Sequence, residues 1–218
     1  MKNNEIFRDT GKDWYLNKEN YVYLPLLEFA AQNAGKKILD LGCATGEYCI
    51  TLEEMGFECT GADINPQYVE EACKKGVNAI VAKGDDLDFE DRSFDTVLLF
   101  EVLEHVKNPQ NLLKEAKRVA KKNVLITVPN CGQLYELSTF NLTYEHVLEK
   151  DHINFFTKND LENLIAGEFR TFKVAEREGI KLGAVGLPLP LKALILGLYK
   201  IKLIKSDIYY RLYAVAEV

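Results

Sequence analysis

Short apolar runs alternate along the chain with longer amphipathic stretches. Residues 37–41, 57–62, 77–82, 94–100 and 123–128 read as strands, and 46–55, 66–75 and 109–121 between them as helices. Thr96-Val97-Leu98-Leu99-Phe100 and Val124-Leu125-Ile126-Thr127-Val128 are apolar at almost every position. Strands of that kind belong in the middle of a parallel sheet covered on both faces. The repeated strand-helix rhythm predicts an α/β fold with helices on both sides.

The flanks differ. Residues 13–34 mix aromatics with helix formers and stop at Gly35, which predicts a helical N-terminal cap. Trp14, Tyr15, Tyr21 and Tyr23 in it could cover a ligand, but aromatics at helical spacing more often belong to a core. After Pro129 comes an irregular stretch, 130–156, then a helix near 158–166 and strands at 169–178 and 208–217. No linker or repeat divides the 218 residues, so 1–218 reads as one domain.

Composition narrows the function. With 47% hydrophobic and 28% charged residues the chain can bury a full core without disulfides or a structural metal. Five cysteines without C-x-x-C spacing fit a reducing compartment, and the N-terminus lacks the apolar core of a signal peptide. A cytoplasmic location is therefore expected. The net charge of −6 argues against DNA or RNA as partner. That charge is uneven: residues 181–205 hold five lysines and no acid, whereas residues 1–180 sum to −10.

The strongest motif is Ile38-Leu39-Asp40-Leu41-Gly42-Cys43-Ala44-Thr45-Gly46, a strand running into a glycine turn and then a helix. In open α/β sheets the ligand crevice lies at such carboxyl ends. The spacing D-x-G-x-x-x-G is not the G-x-G-x-x-G of a pyrophosphate turn, which disfavours a dinucleotide-binding oxidoreductase. Asp40 beside the turn would repel a pyrophosphate and attract a cation. Asp63, about twenty residues on, closes the second strand where an acid can accept from ribose hydroxyls.

These residues, with Arg92-Ser93-Phe94-Asp95-Thr96-Val97 and Glu101-Val102-Leu103-Glu104-His105, resemble the class I S-adenosylmethionine-dependent methyltransferases. The likeness is close over 36–130. It implies a Rossmann-like, doubly wound, seven-stranded and mostly parallel sheet of order 3-2-1-4-5-7-6. It also divides the domain into a cap (1–35), a cofactor-binding core (36–130) and an acceptor side (131–218). S-adenosylmethionine would then be held by Asp40, Gly42, Cys43, Ala44, Gly46, Asp63, Ile64, Leu87, Phe100 and Glu101. An acid by the adenine would be Asp85 or Asp86, a choice the loop length leaves open.

Three histidines, His105, His146 and His152, are the candidate bases for a hydroxyl acceptor. Glu101, Glu104 and His105 at i, i+3 and i+4 would share one side of a helical turn. Two carboxylates and an imidazole can hold a divalent ion such as Mg²⁺. This resembles the metal triad of polyprenyl-dihydroxybenzoate O-methyltransferases and of small-RNA 2′-O-methyltransferases, where a later histidine, here His152 in Asp151-His152-Ile153-Asn154-Phe155-Phe156-Thr157, completes the set. The same E-V-L-E-H also occurs in many methyltransferases of this type that use no metal, with Glu101 near the cofactor and the rest packing or solvated. Asn130, Cys131 and Gln133 would line an acceptor pocket, Cys131 as a packing residue rather than a nucleophile.

The segment 182–205 reads as an apolar helical insert before the last strand, too interrupted by Pro188, Pro190 and Lys192 to span a bilayer. Its surface would meet an anionic membrane, a second copy of the chain, or its own acceptor pocket. The expected acceptor is a small molecule, a glycan or a lipid-linked group. RNA methylation and a non-catalytic binding subunit are the alternatives.

Overall fold

The structure, a computed structural model, describes residues 22–132, 151–179, 188–201, 203–204 and 208–218. Its centre is a seven-stranded sheet of β1 (Lys37–Leu41), β2 (Glu58–Asp63), β3 (Ala79–Val81), β4 (Phe94–Phe100), β5 (Ala120–Pro129), β6 (Thr171–Gly179) and β7 (Tyr209–Glu217). The order is β3-β2-β1-β4-β5-β7-β6, as the family resemblance implies. Strands β1 to β5 pair in parallel, and β7 runs antiparallel to both β5 and β6.

Helices α1 (Leu24–Asn33), α2 (Glu47–Glu54) and α3 (Pro66–Lys74) carry residues of one core layer, and α4 (Pro109–Val119) and α5 (Lys158–Ala166) of the other. Neighbouring strand positions divide between the two. Leu98, Leu125 and Tyr213 pack with Phe29 and Leu52, whereas Leu99, Ile126 and Leu212 pack with Leu113 and Leu161. That two-sided burial is why β4 and β5 lack polar alternation.

Local signals set the helix starts. Asn65 and Asn108 each precede a proline and accept a backbone N–H of the first turn, and Thr157 and Asp160 form a reciprocal capping box. Several boundaries differ from the sequence reading. Helix α4 stops at Val119, not 121, because Ala120 is extended and already pairs with Phe94 across a register shift. Tertiary pairing overrides helix propensity there. Strand β3 is also shorter than 77–82, consistent with its place at the sheet edge.

Strand β1 sits between β2 and β4, so the chain order reverses across the β1–β4 boundary. The carboxyl ends of those two strands flank the crevice that such a reversal opens. Trp14, Tyr15, Tyr21, Gln133, His146 and residues 182–187 lie outside the described residues.

Candidate active site

The turn after β1 is held by backbone. The Gly42 and Cys43 N–H groups both donate to the Ala62 carbonyl at 2.8 and 3.2 Å, and Gly46 N–H to Cys43 O at 2.9 Å. Gly42, Ala44 and Gly46 all have positive φ, at 92°, 47° and 84°. The sequence suggests that these glycines let a ligand approach. In the structure a Cβ on Gly42 would first meet Val102 Cγ2 at 2.6 Å, and one on Gly46 Val77 Cγ2 at 2.9 Å. Left-handed backbone and protein packing already require glycine there.

Asp63 ends β2 against this turn. Its carboxylate accepts from Ala44 N–H at 2.9 Å and from Asn65 N–H at 2.8 Å, which ties two strand tips together. Asp40 stands one strand away, 3% exposed. Burial, then the charge of Asp63, pushes its carboxyl up to about 7. Burial also raises Asp63, though the backbone N–H groups oppose this. Ile64, next in chain, is left 69% exposed at the tip of β2, an apolar surface beside the acids.

The remaining expected cofactor residues divide. Cys43 is buried, its thiol raised by burial, and is no nucleophile. Leu87 and Phe100 are core residues: Leu87 is 5% exposed, and the Phe100 ring lies 6.0 Å from both Phe29 and Tyr48. In the loop after β3, Asp85 pairs with Lys83 at 3.0 Å, whereas Asp86 is exposed and donates its N–H to Lys83 O. Arg118 clamps this loop by donating to the carbonyls of Leu87 and Phe89.

After β4 the expected helical turn is a 3₁₀ turn, Leu103–His105. Asn154 docks on it, its side-chain amide donating to Leu103 O at 2.9 Å and Val106 O at 2.7 Å. The Ile153 and Asn154 N–H groups donate to Glu104 O. This brings His152 beside His105, ring centroids 4.6 Å apart and edge-on, with Asp151 Oδ2 3.3 Å from His105 Nδ1. Ligand atoms of Glu104, His105 and His152 all lie within 4.8 Å of one another.

Glu101 is the correction. It does not share that cluster. Its backbone is left-handed, φ 56°, and its carboxylate lies 3.0 Å from Arg211 Nε. A helical turn would have placed it with Glu104; the kink at the end of β4 and the pull of a buried guanidinium turn it the other way.

Arg211, Glu178 and Tyr213 escape the sequence reading. The Arg211 side chain is only 11% exposed, sits between Glu101 and Glu178, and donates to both Glu178 oxygens at 2.9 and 2.7 Å. Tyr23 donates to Glu178 at 2.8 Å, Tyr213 donates to it as well, and the Tyr23 ring lies 5.0 Å from the guanidinium. Glu178 too has positive φ, 62°. The available signal is one arginine in the apolar stretch 208–217.

A family model described as a methyltransferase domain matches residues 15–167. Demethylmenaquinone methyltransferase of Tropheryma whipplei is 39% identical over 93 residues, 40% of this chain and 38% of that protein. Ubiquinone biosynthesis O-methyltransferase of Xanthomonas oryzae pv. oryzae is 30% identical over 135 residues, 59% of this chain and 53% of that protein. The chain thus spans about half or less of the length of these curated relatives. A solved S-adenosylmethionine-dependent methyltransferase of Archaeoglobus fulgidus has the same fold, with TM-score 0.69, 20% identity, and coverage of 95% of this chain and 97% of that one.

Removing Arg211 would strand two partly buried carboxylates. Arg211→Met is expected to cost about 3–5 kcal/mol in urea unfolding, whereas Lys83→Ala at the exposed Asp85 pair should cost less than about 1 kcal/mol. Equal costs would show that Arg211 is not what holds Glu101 and Glu178.

Proposed function

The chain belongs to the methyltransferase-domain family, and from that premise we propose that it transfers the methyl group of S-adenosylmethionine to an oxygen of a small-molecule, glycan or lipid-linked acceptor. The observation that carries the reading is the pair of acids at neighbouring strand tips, Asp63 tied to the turn at Ala44 and Asp40 buried beside it. Their charge suits a cationic nucleoside and opposes a pyrophosphate.

Asp63 would accept from ribose hydroxyls, Ile64 would lie against the base, and the turn from Gly42 to Gly46 would follow the amino-acid portion. Bound there, S-adenosylmethionine supplies an electrophilic methyl carbon whose leaving sulfur departs neutral. The protein's part is alignment of the acceptor and removal of its proton. Glu104, His105 and His152 stand at the end of β4, on the edge where the acceptor would sit.

A metal-assisted version has a specific observation in its favour. Glu104, His105 and His152 offer one oxygen and two nitrogens within 4.8 Å, a donor set that suits a divalent ion able to lower the pKa of an acceptor hydroxyl. Without an ion, His152 serves as the base. The Xanthomonas relative is named for O-methylation in ubiquinone biosynthesis. For this chain it supports the choice of oxygen.

Two measurements test the reading. Asp40 titrates near 7 in the free protein, and a cation favours its charged form, so calorimetric affinity for S-adenosylmethionine should rise from pH 5.5 to 7 and then level. Asp40→Asn should lower affinity at least about tenfold and flatten that profile. It should also remove a loss of stability between about pH 4 and 7, where the unfolded chain gives up the proton first. A flat wild-type profile would contradict the role of Asp40. Titration with Mn²⁺, read by spin resonance, should show one site that His152→Ala abolishes; no Mn²⁺ binding by a protein that still binds S-adenosylhomocysteine leaves the histidine as base.

A further inference from the structure

Helix α6 (Leu189–Lys200) has none of its side chains buried. Leu189, Leu191 and Leu194 along it, and Ile201 and Leu203 just beyond, are between 44% and 83% exposed. At helical spacing Leu191, Leu194 and Leu198 stand on one side with Ile201 following, and Lys192 and Lys200 stand on the other together with Leu189 and Leu196. An apolar surface of this kind in water needs an occupant.

Its position in the fold is informative. β6 ends at Gly179, which pairs with Tyr209 at the start of β7, and Arg211 pairs with Pro129 at the carboxyl end of β5. The connection containing α6 therefore leaves and returns at the edge that carries Gly42, Glu101 and Glu104. Both strands that flank α6 in the chain have their near ends at the acceptor edge.

Charge selects among occupants. Residues 181–205 hold Lys181, Lys192, Lys200, Lys202 and Lys205 and no acid, whereas residues 1–180 sum to −10. An anionic surface attracts this segment and repels the body, which fixes orientation as well as contact. A two-fold contact through the leucine side would turn Lys192 and Lys200 outward and make no use of their charge, whereas an anionic surface uses both sides of the helix. At 1.5 Å per residue α6 spans roughly 18 Å against a hydrocarbon core of about 30 Å, so it can lie in an interface without crossing it. No helix among the described residues is long and apolar enough to cross a membrane.

We propose that α6 lies in the headgroup layer of an anionic lipid surface, Leu191, Leu194 and Leu198 toward the acyl chains and Lys192 and Lys200 toward phosphates, and that it turns the acceptor edge of the sheet to that surface. The acceptor is then lipid-borne and enters from the bilayer. This last step rests on the methyltransferase reading; the membrane contact does not.

The test is co-sedimentation of the full chain with vesicles of phosphatidylcholine alone and of phosphatidylcholine with about 30% phosphatidylglycerol. Partitioning onto the anionic vesicles should be at least about tenfold greater and should weaken at high salt. The double substitution Leu191→Glu and Leu194→Glu should reduce it at least about tenfold, with the thermal melt unchanged because both side chains are exposed. Partitioning that is equal on both vesicles, or unaffected by the double substitution, overturns the proposal. So does a dimer that the double substitution dissociates while the wild type ignores vesicles. Calorimetry with S-adenosylhomocysteine on the same samples separates the two readings. Vesicle binding without nucleoside binding defeats the enzyme and leaves the membrane contact, and nucleoside binding without vesicle binding does the reverse.

Discussion

Much of the site depends on one carboxylate held by two backbone N–H groups. Asp63 accepts from Ala44 and from Asn65, so the tip of β2 and the turn after β1 are one rigid piece. The contact fixes the left-handed residue Ala44 and places a negative charge close to buried Asp40. Burial first, and then the repulsion between two acids so near each other, keeps the proton on Asp40 to an unusually high pH. A cation relieves that repulsion, so the strain and the specificity share one cause.

A second constraint operates on the other side of β4. Glu101 and Glu178 both adopt left-handed backbone, a conformation that costs a non-glycine residue on the order of 1–2 kcal/mol, and both direct their carboxylates at Arg211. The guanidinium offsets the cost by ion pairing, while Tyr23 and Tyr213 fill the remaining valences of Glu178. The network joins the end of β4, the end of β6, the start of β7 and the segment before α1. It separates Glu101, facing the first core layer, from Glu104, facing the histidines.

The strands and helices from 37 to 128 were legible because apolar runs of buried parallel strands alternate with amphipathic stretches; the Asn-Pro starts of α3 and α4 and the Thr-x-x-Asp box of α5 are local signals that the structure shows at work. The order of the sheet came from resemblance to a family, since periodicity does not say which strand neighbours which. The acids at 40 and 63 were legible because they close strands. The split of the E-V-L-E-H motif was not. Spacing alone puts Glu101 beside Glu104, and only the non-local arginine, more than a hundred residues later in the chain, decides otherwise. Leu87 and Phe100 were assigned to the site by resemblance, and their side chains lie in the core.

The account stands or falls on whether the crevice by Gly42 is where a sulfur nucleoside lies. A crystal structure grown with S-adenosylhomocysteine measures this most directly. It should show the ribose hydroxyls within hydrogen-bond distance of the Asp63 carboxylate, the base against Ile64 and the amino acid along the turn to Gly46. A nucleoside bound elsewhere, or Asp63 still engaged only with Ala44 and Asn65 while the crevice stays empty, would contradict it.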